Sequence, residues 1–129
     1  MKKIISLLAL LLLYQIGISQ VKMLHTTGNV KDSITNTGVD TLHYTLTQSY
    51  NVVSLQPIVT KSSGTMAGKS YLYSSVDGSN YVLIDSVTNA NVTTNTSIWN
   101  KTSAARYWQI ITNGATTVTA LVKAYISAH

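Results

Sequence analysis

The closing stretch of this chain alternates. Val118, Ala120, Val122, Ala124 and Ile126 fall on one side of an extended backbone, and Thr117, Thr119, Leu121, Lys123 and Tyr125 on the other. Side chains two residues apart share a face in a strand and not in a helix. The same period runs through residues 41–47, where Leu42, Tyr44 and Leu46 oppose Thr41, His43, Thr45 and Thr47. A chain made of such segments has to pair its strands and bury one face of each sheet. More than a third of the residues from Gln20 onward are Thr, Ser or Asn. Thr is β-branched, and Ser and Asn compete with helical backbone bonds, so this composition favours strands and turns.

Further strands are expected over 31–35, 39–47, 52–60, 69–74, 81–85, 105–112 and 116–127. Pro57 lacks a ladder donor, which places it at an edge or a bulge. Asp77-Gly78-Ser79-Asn80 and Asn113-Gly114 carry the turn chemistry of hairpins, and Asn36-Thr37-Gly38 marks an earlier one. The tract 88–97 is a loop or a solvated edge strand. No amphipathic helix interrupts these segments. The expected fold is all-β, an antiparallel β-sandwich or jelly roll. Its core is expected from Leu42, Tyr44, Leu46, Val53, Leu55, Val59, Leu72, Val82, Ile84, Trp108, Ile110, Val118, Ala120 and Val122.

This domain, residues 20–129, follows a short hydrophobic N-terminal segment. Lys2 and Lys3 precede an apolar run over 4–14, then a polar stretch ending in Gly17-Ile18-Ser19. That is the layout of a secretory signal peptide over 1–19. The alternative is a hydrophobic anchor, although the run is short of the roughly twenty residues a membrane span needs. Any contact with a membrane would go through residues 4–18, if they stay attached. The chain is expected to be exported.

Charged residues make up 10% of the chain, against roughly 25% in typical domains. The formal net charge is +5 with no Cys, which excludes a disulfide scaffold and a zinc-thiolate site. Beyond the leader the basic residues are scattered, without the clustered footprint of a nucleic-acid binder. Three His and four Asp are the stock for acid–base or metal chemistry. His43 lies among threonines, Asp77 serves a turn, and neither metal spacing nor a nucleophile elbow is present. No enzymatic activity, cofactor or metal is expected.

The aromatic surface is Trp99, Trp108 and eight Tyr. Tyr71, Tyr73 and Tyr81 line one face of the first hairpin, and Trp99 is close in sequence to a loop. Such rings stack on sugars, fill protein interfaces or, without Phe, pack the core. Leu121 and Tyr125 form a small apolar stripe on the outward face of the last strand. They are expected to support a homo-oligomer, a trimer or larger ring, unless the 88–97 tract covers them. Three Asp precede a hydroxyl and an aliphatic residue (Asp32-Ser33-Ile34, Asp40-Thr41-Leu42, Asp85-Ser86-Val87). This resembles the O-glycosylation pattern of exported Bacteroidetes proteins, and it also fits Asp ending a turn before a strand.

The stretches Ser63-Gly64-Thr65-Met66-Ala67-Gly68, Tyr71 to Tyr81 and Arg106-Tyr107-Trp108, with a closing Thr/Val strand, resemble small β-sandwich proteins encoded by bacteriophages. The similarity covers residues 30–127. It implies a non-catalytic structural component of a virion, of capsid, decoration or spike type, with other virion or envelope proteins as partners. The leader departs from that pattern. The competing reading is a secreted bacterial carbohydrate-binding or adhesion module with a glycan as ligand.

Overall fold

The computed structural model describes residues 32–128 and, as backbone alone, 20–24. The leader, His25 and His129 lie outside the described residues. Among the described residues there are ten strands: β1 (Gln20–Leu24), β2 (Ser33–Thr35), β3 (Val39–Thr45), β4 (Val52–Gly64), β5 (Ala67–Ser75), β6 (Val82–Asn89), β7 (Thr94–Thr96), β8 (Trp99–Thr102), β9 (Tyr107–Ala115) and β10 (Val118–Ala128).

They form the two packed antiparallel sheets expected. The first is built on β10, which pairs β4 along its length and takes β1 and β2 in succession on its other side. Strands β7 and β8 continue that sheet beyond β4. The second sheet has the order β3-β9-β5-β6. Buried faces meet in one core that holds Ile34, Leu42, Leu55, Leu72, Trp108, Ile110, Val122 and Ile126. The alternation in β10 is complete, with every even-numbered residue from Val118 to Ala128 buried.

The turns depart from expectation. Asp77–Asn80 does close a hairpin, between β5 and β6. Asn113 and Gly114 are instead inside β9, and the chain turns at Thr116–Thr117. That turn is no hairpin, because β9 belongs to the second sheet and β10 to the first. Gly114 is needed for close approach, since a Cβ there would lie 2.1 Å from the Asn36 carbonyl oxygen. Positive φ falls on Thr116 itself, at 71°. Asn36-Thr37-Gly38 likewise carries the chain from β2 in the first sheet to β3 in the second. The link from β4 to β5 is a third crossing.

These three corners bond to one another. Asn36 N–H donates to the Val118 carbonyl at 2.6 Å, Gly114 N–H to Gly38 at 2.9 Å and Thr65 N–H to Thr117 at 3.0 Å. The Thr116 hydroxyl donates to the Thr65 carbonyl at 3.1 Å. Orphaned turn groups thereby satisfy each other.

Pro57 is neither at a sheet edge nor at a bulge. It faces Ala124 inside β4 and falls opposite the break between β7 and β8. Its carbonyl accepts from Ser97 N–H at 3.4 Å across that break. N–H and C=O of one strand residue point the same way, so the donor Pro57 lacks would have pointed into the gap.

Two expected core residues are outside. Val82 is 64% exposed and Ile84 40%. Strand β6 is an edge, its pairing with β5 shifts register beside Tyr73, and a cleft of about 340 Å³ separates Val82 from Ser103 and Ala105. Val87, further along β6, packs against the core. The tract 88–97 is an edge strand in part, since it contains β7.

Candidate binding face

Strand register sets the outward face of the second sheet. Ser70, Leu72 and Ser74 are buried, so Tyr71 and Tyr73, between them on β5, point outward. Each is half-buried. Tyr73 lies beside Gln109 on β9, which lies beside His43 on β3. Tyr71 lies beside Ile111, which lies beside Thr41. Towards β6 the neighbours are Ser86 for Tyr71 and Leu83 for Tyr73.

Tyr81 joins them from the loop. Its ring meets that of His43 edge-on, with centroids 6.3 Å apart and planes at 72°. Strands β6 and β3 are three spacings apart, about 14 Å, so Tyr81 reaches back across the sheet. The same loop rests on Tyr107, where a Cβ on Gly78 would come within 3.0 Å of the ring. The hairpin loop therefore walls one end of the face.

Asp77 holds that loop in shape. Its Oδ1 accepts from Ser75 Oγ at 2.8 Å, Ser79 N–H at 2.9 Å and Asn80 N–H at 2.8 Å, and its Oδ2 accepts from Asn80 Nδ2 at 2.7 Å. The backbone and side chain of Asn80 lead these bonds in holding the Asp77 carboxyl well below the usual carboxylate range. Gly78 supplies the left-handed step at φ 77°. Asp85 is ion-paired with Lys101 on β8 at 2.6 Å, and that bond, with Ser86 N–H, holds its carboxyl low as well. Among the described residues no three His, Cys, Asp or Glu side chains converge as a metal site would require.

The sequence-derived contact residues separate into three groups. Tyr71, Tyr73 and Tyr81 come together on the second sheet. Leu121 and Tyr125 are outward on the first, with Leu121 46% exposed. Tyr125 borders a groove of about 160 Å³ with Ile98 and Gln56, and the 88–97 tract does not line it. Strand β10 is flanked by β4 on one side and by β1 and β2 on the other. Trp99 is the correction, because it is 5% exposed and packs in the core. On β8 it faces Leu55 across the ladder, which turns its ring inward. Trp108 is also fully buried, and its Nε1 donates to the Ala105 carbonyl at 3.1 Å. His43 and Gln109 were not linked to the tyrosines by sequence, because only sheet order brings them there.

No family model matches the chain, and no curated protein matches it in sequence. Solved structures do share its fold. The Yersinia pseudotuberculosis-derived mitogen is 10% identical with a TM-score of 0.57, covering 87% of this chain and 88% of its own. The PBSX exported protein XepA is 10% identical with a TM-score of 0.60 over 84% of this chain, which spans 36% of that protein. TmCBM61, solved in complex with β-1,4-galactotriose, is 11% identical with a TM-score of 0.51, covering 84% of this chain and 82% of its own. At such identities the likeness establishes a shared jelly-roll-like sandwich, on which unrelated functions are carried.

Proposed function

We propose that this domain is a non-catalytic structural subunit, exported or virion-associated, that works by assembling with copies of itself and with other virion or envelope proteins. The observation that carries this is the apolar edge of the second sheet. Val76 is 78% exposed, Val82 64%, Leu83 51% and Ile84 40%. Contiguous apolar surface at a strand edge is what an assembly contact needs. A second apolar patch, Leu121, Tyr125 and Ile98, lies on the outward face of the first sheet. Two different patches on one chain suit head-to-tail contacts, which close into a ring when the rotation permits. The sparse surface charge opposes this little. Asp77 and Asp85 are both committed to hydrogen bonds that keep them ionised, which leaves neither suited to donate a proton. The fold shared with a PBSX exported protein fits an exported role.

Light scattering of residues 20–129 should show a trimer or larger ring. Leu83→Asp with Ile84→Ser should give a folded monomer, and so should Leu121→Asp with Tyr125→Ser. A wild-type monomer at high micromolar concentration overturns the assembly reading.

The second reading is a secreted carbohydrate-binding or adhesion module, favoured by the tyrosine face of the second sheet.

A further inference from the structure

We infer that the outward face of the second sheet is a binding site for a neutral oligosaccharide, with Tyr73 and Tyr71 as its stacking floor, Tyr81 as its wall, and Gln109 and His43 as its polar contacts. This deepens the carbohydrate reading above and rests on it.

Three features of the face select this ligand class. The first is charge. Among the outward side chains of β3, β9, β5 and β6, Lys69 alone carries a full charge, with His43 the one imidazole. A polyanion or an acidic glycan would need a cluster of cations that is absent there. A neutral, hydroxyl-rich ligand makes no such demand.

The second is how the rings are set. Tyr71 and Tyr73 are two residues apart on one strand, so their rings rise side by side, about 7 Å apart along it. Aromatic faces take the apolar C–H side of a sugar ring, and the phenol stays wet. Tyrosine also loses little conformational freedom on contact, having two side-chain torsions.

The third is that polar groups sit beside the rings and are held ready. Gln109 Nε2 is 3.4 Å from His43 Nε2, a long contact that either head can exchange for a sugar hydroxyl. Ser86 lies directly beside Tyr71 on β6, and Thr41 lies one strand further on its other side, beyond Ile111. Tyr81 is fixed by its edge contact with His43 and by a loop that Asp77 knots. Preorganisation of this kind lowers the ordering cost of binding.

The test uses the purified protein on an array of neutral and acidic oligosaccharides, followed by titration calorimetry. Saturable binding of a neutral oligosaccharide is expected. Tyr73→Ala and Gln109→Ala should each weaken it about tenfold or more, with Val92→Ala, at an exposed position before β7, unchanged. Circular dichroism checks the fold of each variant. If Tyr73→Ala does not fold, amide and ring shifts of the wild-type protein on ligand addition replace it. Those shifts should centre on residues 43, 71, 73, 81 and 109. Wild-type protein that binds no glycan overturns the carbohydrate reading and the site together. Neutral-glycan binding that survives both variants, or shifts elsewhere, overturns the site and leaves the reading. Binding of acidic glycans alone overturns the ligand class. Loss of self-association in Tyr73→Ala, with glycan binding intact, assigns the face to a second copy and overturns the proposal.

Discussion

At the scale of single residues, Asp77 shows how much one side chain decides. Its carboxylate accepts four hydrogen bonds, three of them within the next three residues. An ionised carboxyl is required for all four. A carboxyl held below its ordinary value near 3.8 contributes stability that is fully present above that value. The contribution is lost only as pH falls further, through the depressed value. The loop over Tyr107 should therefore keep its order at pH 4 and loosen below it. Amide hydrogen exchange at Ser79 and Asn80 across this range checks the expectation. Loosening that begins above pH 5 would contradict it. Asp77→Asn should loosen the same amides at every pH. The Asp-Gly-Ser-Asn turn was legible in sequence because its chemistry is local. That Gly78 packs on Tyr107 was not, since the partner lies far along the chain, on β9.

Among the elements, strands were easier to read than their connections. Periodicity located β3, β4, β5, β9 and β10 to within a few residues. Whether a turn makes a hairpin or a corner depends on which sheet the next strand joins, and neither strand encodes that locally. Asn113-Gly114 has hairpin chemistry, yet it sits in β9, where glycine admits the Asn36 carbonyl. Gly64 is the tightest of these corners. Its φ is 77°, and a Cβ there would lie 1.6 Å from the Thr117 carbonyl oxygen, a backbone atom with no freedom to retreat. Gly64→Ala should cost about 2–4 kcal/mol, from strain and displaced backbone together. A urea unfolding midpoint unchanged by the substitution would show that the corner relaxes freely. Strand β6 failed in the opposite way. Val82 and Ile84 look like core in sequence, but an edge position and a register shift leave them exposed.

Across the whole molecule, one core joins both sheets, with Trp108 at 0% exposure and Trp99 at 5%. A 129-residue chain buries only about two-thirds of its unfolded surface, so a single large side chain in that core weighs heavily. Trp108→Ala should cost about 3–5 kcal/mol, because it leaves a cavity and removes the donor to Ala105. Chemical denaturation followed by far-UV circular dichroism measures it, and a loss below about 1 kcal/mol would mean the core collapses to fill the space. Sequence alone determined the fold class, because strand alternation and hydroxyl-rich composition are properties of each segment and survive without knowledge of partners. It also found three of the five side chains on the tyrosine face, since Tyr71, Tyr73 and Tyr81 flank one turn. Sheet membership was settled only in three dimensions. The order β3-β9-β5-β6 is what carries His43 and Gln109 to Tyr73 and strips the cover from Val82, and the pairing of β8 with β4 in the other sheet turns Trp99 inward. These outcomes depend on pairings between residues far apart in the chain, and a strand's own pattern marks which face is buried without saying which strand lies beside it.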